Sequence, residues 1–251
     1  MRSDGQSGGG LELRLRLAAE SVPLDRVAFA EVEVAASGGA ATVSARLNLI
    51  EGDLEAEVTG PDGRVARATW PWPADSAPRS VELAAGERLV AGVPLVSEGS
   101  EPLFPVTGRY EVVARFAARP GETLTSNTAV LVRTAGEDAA LAADLRDRDV
   151  VQSLLGAGVI GAAEPALERL AESEDAGTAA AARLALSRTD ALQAAADADP
   201  AVSRAVAALL PPGATGNDER REAIRSRAAP RDVAMLSGRP IEDGPDPAVE
   251  D

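Results

Sequence analysis

A chain of 251 residues has room for one or two domains with a substantial core, and 25 basic against 40 acidic side chains leave a net charge of -15. Cysteine, histidine and lysine are all absent, which excludes disulfides, thiol nucleophiles, imidazole bases and cysteine- or histidine-ligated zinc. So acidic a chain repels polyanions, and neither nucleic acid nor an anionic membrane surface is an expected partner.

Residues 1–10, MRSDGQSGGG, read as a flexible arm with no apolar leader segment. LELRLRL then alternates strictly, with Leu11, Leu13, Leu15 and Leu17 on one side and Glu12, Arg14 and Arg16 on the other. That period of two is the mark of a half-buried strand. VAFAEVEV (27–34) and ATVSARLNL (41–49) repeat it. LEAEV runs into GPDG, whose proline and Asp-Gly pair suit a tight turn, and Val65 opens the return strand. SVELAAGERLVAGVPLV, GRYEVVARF and SNTAVLVRT supply the later strands.

After Thr134 the period lengthens. Leu141, Leu145, Val151, Leu154 and Leu155 fall near helical spacing, and AAEPALERLAES and DAGTAAAARLALSR continue it. In DPAVSRAVAALLPPG, Asp199 suits a helix cap, Pro200 the first helical position, and Pro211-Pro212 a stop. No fixed repeat period holds across these segments. From 213 to 251 polar, proline and glycine residues dominate, as in an acidic, mostly disordered tail.

All six aromatic residues, Phe29, Trp70, Trp72, Phe104, Tyr110 and Phe116, lie in the strand-rich half. The expected organisation is therefore an arm (1–10), an all-β immunoglobulin-like sandwich (11–134), a small all-α region (135–212) and the tail (213–251). The bulk of the core belongs to the sandwich. No apolar run is long enough to span a bilayer, so membrane insertion is not expected. A soluble chain is expected, cytoplasmic by default and extracytoplasmic if a signal peptide has been removed.

Three clusters carry whatever chemistry the sequence offers. Trp70 and Trp72 alternate with Pro71 and Pro73 in a stiff, extended stretch, where tryptophans can anchor a protein partner, stack on a sugar or close the end of the sandwich. Glu51 and Asp53 flank Gly52, with Asn48 and Asp62 nearby, an oxygen-rich set reminiscent of calcium loops. Its spacing does not match the calcium-loop motif, and no metal or other cofactor is expected. Gly108 and Tyr110 open a late strand. A tyrosine there can place its ring in the core and its hydroxyl on backbone across the corner, a structural rather than catalytic duty. No phosphate-binding loop, dinucleotide fingerprint or G-x-S-x-G motif occurs.

RLNLIEGDLEAEVTGPDG, followed by PLFPVTGRYEVVARF and SNTAVLVR, resembles bacterial immunoglobulin-like sandwich domains of uncharacterised surface or secreted proteins. The G-x-Y-x-V run of a late strand in such domains is matched by Gly108, Tyr110 and Val112. The resemblance spans residues 11–134 and implies a fold, with no catalytic or ligand residues to carry over. The resulting expectation is a non-catalytic binding or scaffold module with a protein partner, not an enzyme. The alternative is a carbohydrate-binding protein, or a carbohydrate-active one working through carboxylates.

Overall fold

The computed structural model describes residues 10–70, 77–188 and 190–209. In chain order, the first strands are β1 (Leu11–Leu17), β2 (Ser21–Pro23), β3 (Ala28–Ala36), β4 (Ala41–Ser44), β5 (Leu54–Thr59) and β6 (Val65–Ala68). They are followed by β7 (Ser80–Leu83), β8 (Arg88–Leu95), β9 (Ser97–Glu98), β10 (Glu101–Pro102), β11 (Gly108–Arg119), β12 (Glu122–Thr125) and β13 (Ala129–Thr134). The helices are α1 (Ala139–Asp144), α2 (Arg148–Gln152), α3 (Glu164–Ala171), α4 (Ala176–Ala185), α5 (Ala191–Ala194) and α6 (Pro200–Leu209), with a π-helical turn over Ser153–Ala157 after α2.

The strands do not assemble as the expected all-antiparallel immunoglobulin-like sandwich. Among the described residues they form four sheets: β1-β3-β8, β2-β13-β11-β5-β6 with β12 on β11, and the separate ribbons β4-β7 and β9-β10. β2 runs parallel to β13, pairing Val132 with Ser21 and Thr134 with Pro23. Alternation along a strand reports which face is buried, not which neighbour it bonds, so the sequence pattern could not order these sheets. ATVSARLNL also leaves the ladder early: only Ala41–Ser44 is strand, because Arg46, Asn48 and Asp53 engage the turn that follows.

The two larger sheets share one apolar core. Leu13, Leu15 and Leu17 of β1 and Val32 and Val34 of β3 meet Leu54, Val58, Val112, Phe116 and Leu131 of the other sheet. A second core lies on the opposite side of the β1-β3-β8 sheet, where Val27, Phe29 and Val96 pack with Val151, Leu154, Leu167, Leu170, Val202 and Val206. The helices therefore form a third layer. β8 is covered on both faces, which is why its seven residues Leu89–Leu95 are all buried and read as a continuous apolar run rather than an alternating one.

α6 comes closest to that sheet. At Gly92, in the middle of β8, a Cβ atom would lie 2.1 Å from the Ala201 carbonyl oxygen and 2.6 Å from the Ala205 nitrogen. Only a strand residue without a side chain allows this approach. The small Ala201 and Ala205 on the helix complete it. Polar contacts hold the same junction: Arg16 of β1 donates from Nη1 and Nη2 to the two carboxylate oxygens of Asp199 at 2.9 and 2.7 Å, and Arg204 of α6 pairs with Glu31 of β3. Asp199 also caps α6 by accepting from Ala201 N–H at 2.8 Å. Burial alone would raise the Asp199 carboxyl, but the Arg16 bonds and that N–H outweigh it and hold it below its ordinary value.

A Gly92→Ala substitution is expected to cost about 1–3 kcal/mol, the usual range for overpacking, since the new methyl meets backbone rather than a movable side chain. Urea unfolding measures it. An unchanged midpoint would mean that α6 is not held against β8.

Candidate functional site

The β4-β7 ribbon and the hairpin between β11 and β12 enclose an open groove of about 900 Å3. Thr42, Ser44, Arg46, Asp53, Arg79, Ser80, Arg119, Glu122 and Thr123 bring hydroxyls, guanidinium groups and carboxylates to it. The local sequence fixes their positions. Ser44 and Ser80 are cross-strand partners at the end of the ribbon, and beyond them Ala45 N–H donates to the Arg79 carbonyl at 2.9 Å. Asp53, just before β5, accepts on its backbone carbonyl from Ala117 N–H at 2.8 Å, which ties this end of the ribbon to the end of β11.

The charged groups are ordered by one another. Arg46 donates to Asp53 from Nε at 2.9 Å and also from Nη2, and the Ser44 hydroxyl donates to Asp53 Oδ2 at 2.5 Å. Both charged side chains are mostly covered. Next to them, Arg79 Nη2 donates to Glu51 Oε2 at 2.8 Å, and the Asn48 amide donates to the same oxygen at 2.6 Å. Asn48 Oδ1 in turn accepts from Ile50 and Glu51 N–H, each at 3.0 Å, shaping the loop. Across the groove Arg119 Nε donates to Glu122 Oε2 at 2.5 Å. Of these pairs Arg46–Asp53 is bidentate, which holds both planar groups in a fixed orientation, the geometry needed to receive a polar ligand.

The oxygen-rich set of the sequence is therefore split up. Glu51 and Asp53 each face an arginine, and Asp62 stays in the β5–β6 turn, where its Oδ1 accepts from Arg64 N–H at 3.0 Å. No cluster of three or more acidic side chains that could hold a metal ion occurs among the described residues. Trp70 is half-buried and packs against the helical layer's core, away from the groove, and Trp72 lies outside the described residues.

Gly108 has φ 145°, and a Cβ there would sit 2.8 Å from Pro61 Cγ, so the glycine lets β11 start against the β5–β6 turn. Tyr110 is 2% exposed. Its ring meets Phe104 edge-on at 5.1 Å, and its hydroxyl donates to the Val106 carbonyl at 2.8 Å. Sequence reasoning missed Arg46, Arg79, Arg119 and Glu122. Their only signal was charge at the ends of short strands, which cannot be told from the many other solvated charges of this chain.

No family model matches the chain, and no curated protein matches it. Solved structures do. The sporulation control protein Spo0M of Bacillus subtilis matches at 12% identity and a TM-score of 0.32, over 51% of each chain. A β-glucosidase of Listeria innocua, solved with glucose, matches at 15% identity and a TM-score of 0.30 over 51% of this chain and 16% of its own. A β-glucosidase of Erythrobacter marinus matches at 14% and 0.30, over 50% of this chain and 15% of its own. This chain thus spans about half of the first protein's length and about a sixth of the enzymes'.

Several expectations are corrected by the structure. The resemblance to bacterial immunoglobulin-like domains fails on the sheet order and the parallel pair. The reading as a non-enzymatic scaffold with a protein partner is set aside in favour of the polar groove, lined by hydroxyls and paired charges. Among the described residues the exposed large apolar side chains are single valines, Val65, Val106, Val132 and Val159, on different segments. No helix among the described residues is long and apolar enough to cross a membrane.

Tyr110→Phe is expected to cost about 0.5–1.5 kcal/mol, the worth of one hydrogen bond. Burial raises the Tyr110 hydroxyl above its ordinary value of 10.0, against the bond to Val106 and the charge of Arg133. The unfolded chain therefore releases this proton first, and the tyrosine's contribution declines as pH rises through 10. The stability gap between the native protein and Tyr110→Phe should narrow between about pH 9 and 11. A gap that widens over that range in denaturant titrations would contradict the burial of the hydroxyl.

Proposed function

We propose that the chain engages a carbohydrate in the groove between the β4-β7 ribbon and the β11–β12 hairpin. The observation that carries this reading is the groove's lining: hydroxyls of Thr42, Ser44, Ser80 and Thr123 interleaved with the paired charges Arg46–Asp53 and Arg119–Glu122. A sugar offers neighbouring hydroxyls that each donate and accept. Carboxylates accept two such bonds, guanidinium groups donate them, and the serine and threonine hydroxyls do both. Side chains already held by ion pairs lose little freedom when a ligand arrives, so more of each hydrogen bond appears as affinity. The volume lies within the range of small-molecule sites. No aromatic residue among the described residues lines the groove, so recognition rests on planar hydrogen bonding rather than ring stacking.

Asp53 and Glu122 are the two carboxylates of this lining. Glycoside hydrolysis needs such a pair about 5–9.5 Å apart across the bound bond. Binding and hydrolysis are therefore tested together.

Titration calorimetry with neutral hexose and pentose oligosaccharides is expected to show saturable binding. Glu122→Gln and Ser80→Ala, both at solvent-accessible positions, should each weaken it about tenfold, the worth of one hydrogen bond, with the melting temperature kept. Reducing-sugar release from the bound oligosaccharide, lost in Asp53→Asn and Glu122→Gln, would add catalysis. The absence of saturable heat across the whole panel, or binding indifferent to both variants, would remove carbohydrate from this groove.

A further inference from the structure

A second cavity lies where the strands meet the first helices. It has a volume of about 30 Å3 and is lined by Pro102, Phe104 and Leu145 together with three arginines, Arg26, Arg133 and Arg146. Arg133, on β13, is 5% exposed. Its Nη2 donates to the Arg26 carbonyl at 3.1 Å, and its guanidinium carbon stands 5.5 Å from the centre of the Phe104 ring. Its Nε and Nη1 are buried without a hydrogen-bond partner. Buried donors of a charged group are seldom left so, because the desolvation goes uncompensated. No carboxylate lines the cavity, although the chain carries 40 acidic residues. Arg26 is half-buried and Arg146 exposed, and neither side chain is engaged by an acidic group among the described residues.

The charge of Asp25 acts on Arg133 through space without a bond between them. Its Oδ2 accepts from Glu137 and Asp138 N–H, each at 2.9 Å, fastening the start of the helical layer to the loop before β3. Its Oδ1 is buried with no partner, so Asp25 and Arg133 are not bonded to each other. Burial pulls the Arg133 guanidinium down to about 10, which leaves it charged at neutral pH. The site thus holds three cations, two of them covered to some degree, around space that roughly two water molecules would fill. A planar carboxylate occupies about the same space and supplies the acceptors that Nε and Nη1 lack.

We propose that this cavity is a binding site for the carboxylate group of a small organic acid, seated on Arg133 and flanked by Arg26 and Arg146. The apolar rim of Pro102, Phe104 and Leu145 suits a short hydrocarbon portion behind the carboxylate. It lies apart from the groove and shares no residue with it. Because Arg26 and Arg133 belong to the strand-rich part while Leu145 and Arg146 lie between α1 and α2, an occupant contacts both parts.

Thermal unfolding of the full chain, with acetate and propionate titrated against chloride at matched ionic strength, tests the assignment. A saturable rise in melting temperature is expected with both carboxylates and not with chloride. Arg133→Met, which keeps the buried bulk, should abolish the rise. Arg146→Gln, at an exposed position that leaves the fold undisturbed, should weaken binding about tenfold and keeps the test valid if the Arg133 variant fails to fold. No saturable response, a response that persists in Arg133→Met, or one seen with phosphate alone would each overturn the carboxylate site.

Discussion

The close approach of α6 to β8 at Gly92 is the constraint on which the three-layer arrangement depends. A sheet with helices on one side ordinarily keeps about 10 Å between layers, filled by side chains from both. Here one strand position has no side chain and the facing helix positions are alanines, so backbone meets backbone. The helical layer is poor in bulk and contains no aromatic residue. It compensates by borrowing Phe29, Val27 and Val96 from the strands. Of the ion pairs around the junction, Arg16–Asp199 is partly exposed and fixes orientation more than it adds stability, while Arg204–Glu31 is mostly covered.

Arginine is the cation of every ion pair among the described residues. With no lysine or histidine, each positive charge is a planar fork that holds its orientation when paired with a carboxylate. Around the groove this yields rigid, alternating donors and acceptors: Arg46 with Asp53, Arg79 with Glu51, and Arg119 with Glu122. The same residue type behaves differently at Arg133, which is buried beside Phe104 with two of its nitrogens unmatched. One position orders a surface for hydroxyl-rich chemistry; the other concentrates positive charge inside an otherwise acidic protein.

The two sites also sit differently in the fold. The groove belongs wholly to strands and their turns, where register fixes which side chains face each other: Ser44 meets Ser80, and the Asp53 carbonyl meets Ala117 N–H. The arginine cavity lies at a seam between layers, bounded by β13, the loop into β3 and the turn between α1 and α2. Asp25 stitches that seam from beside the cavity through the N–H groups of Glu137 and Asp138.

By itself the sequence determined the local elements. Strict alternation located β1, β3, β5 and β11, because a half-buried strand must place its apolar residues two apart, and the Asp-Gly turn located the β5–β6 hairpin. The Asp199-Pro200 pair marked the start of α6, since a cap and a proline are both tolerated only there. Tyr110 and Gly108 announced a strand start by their residue types alone. Tertiary structure decided everything that depends on neighbours: the parallel pairing of β2 with β13, the separation of the β4-β7 ribbon, and the burial of β8 on both faces. It also split Glu51, Asp53 and Asp62, drew Arg46 and Arg79 from among many similar arginines, and placed Arg133 in a cavity without a carboxylate. A side chain's charge is written in the sequence, but its partner is set by distances through space, between residues as far apart along the chain as Arg16 and Asp199.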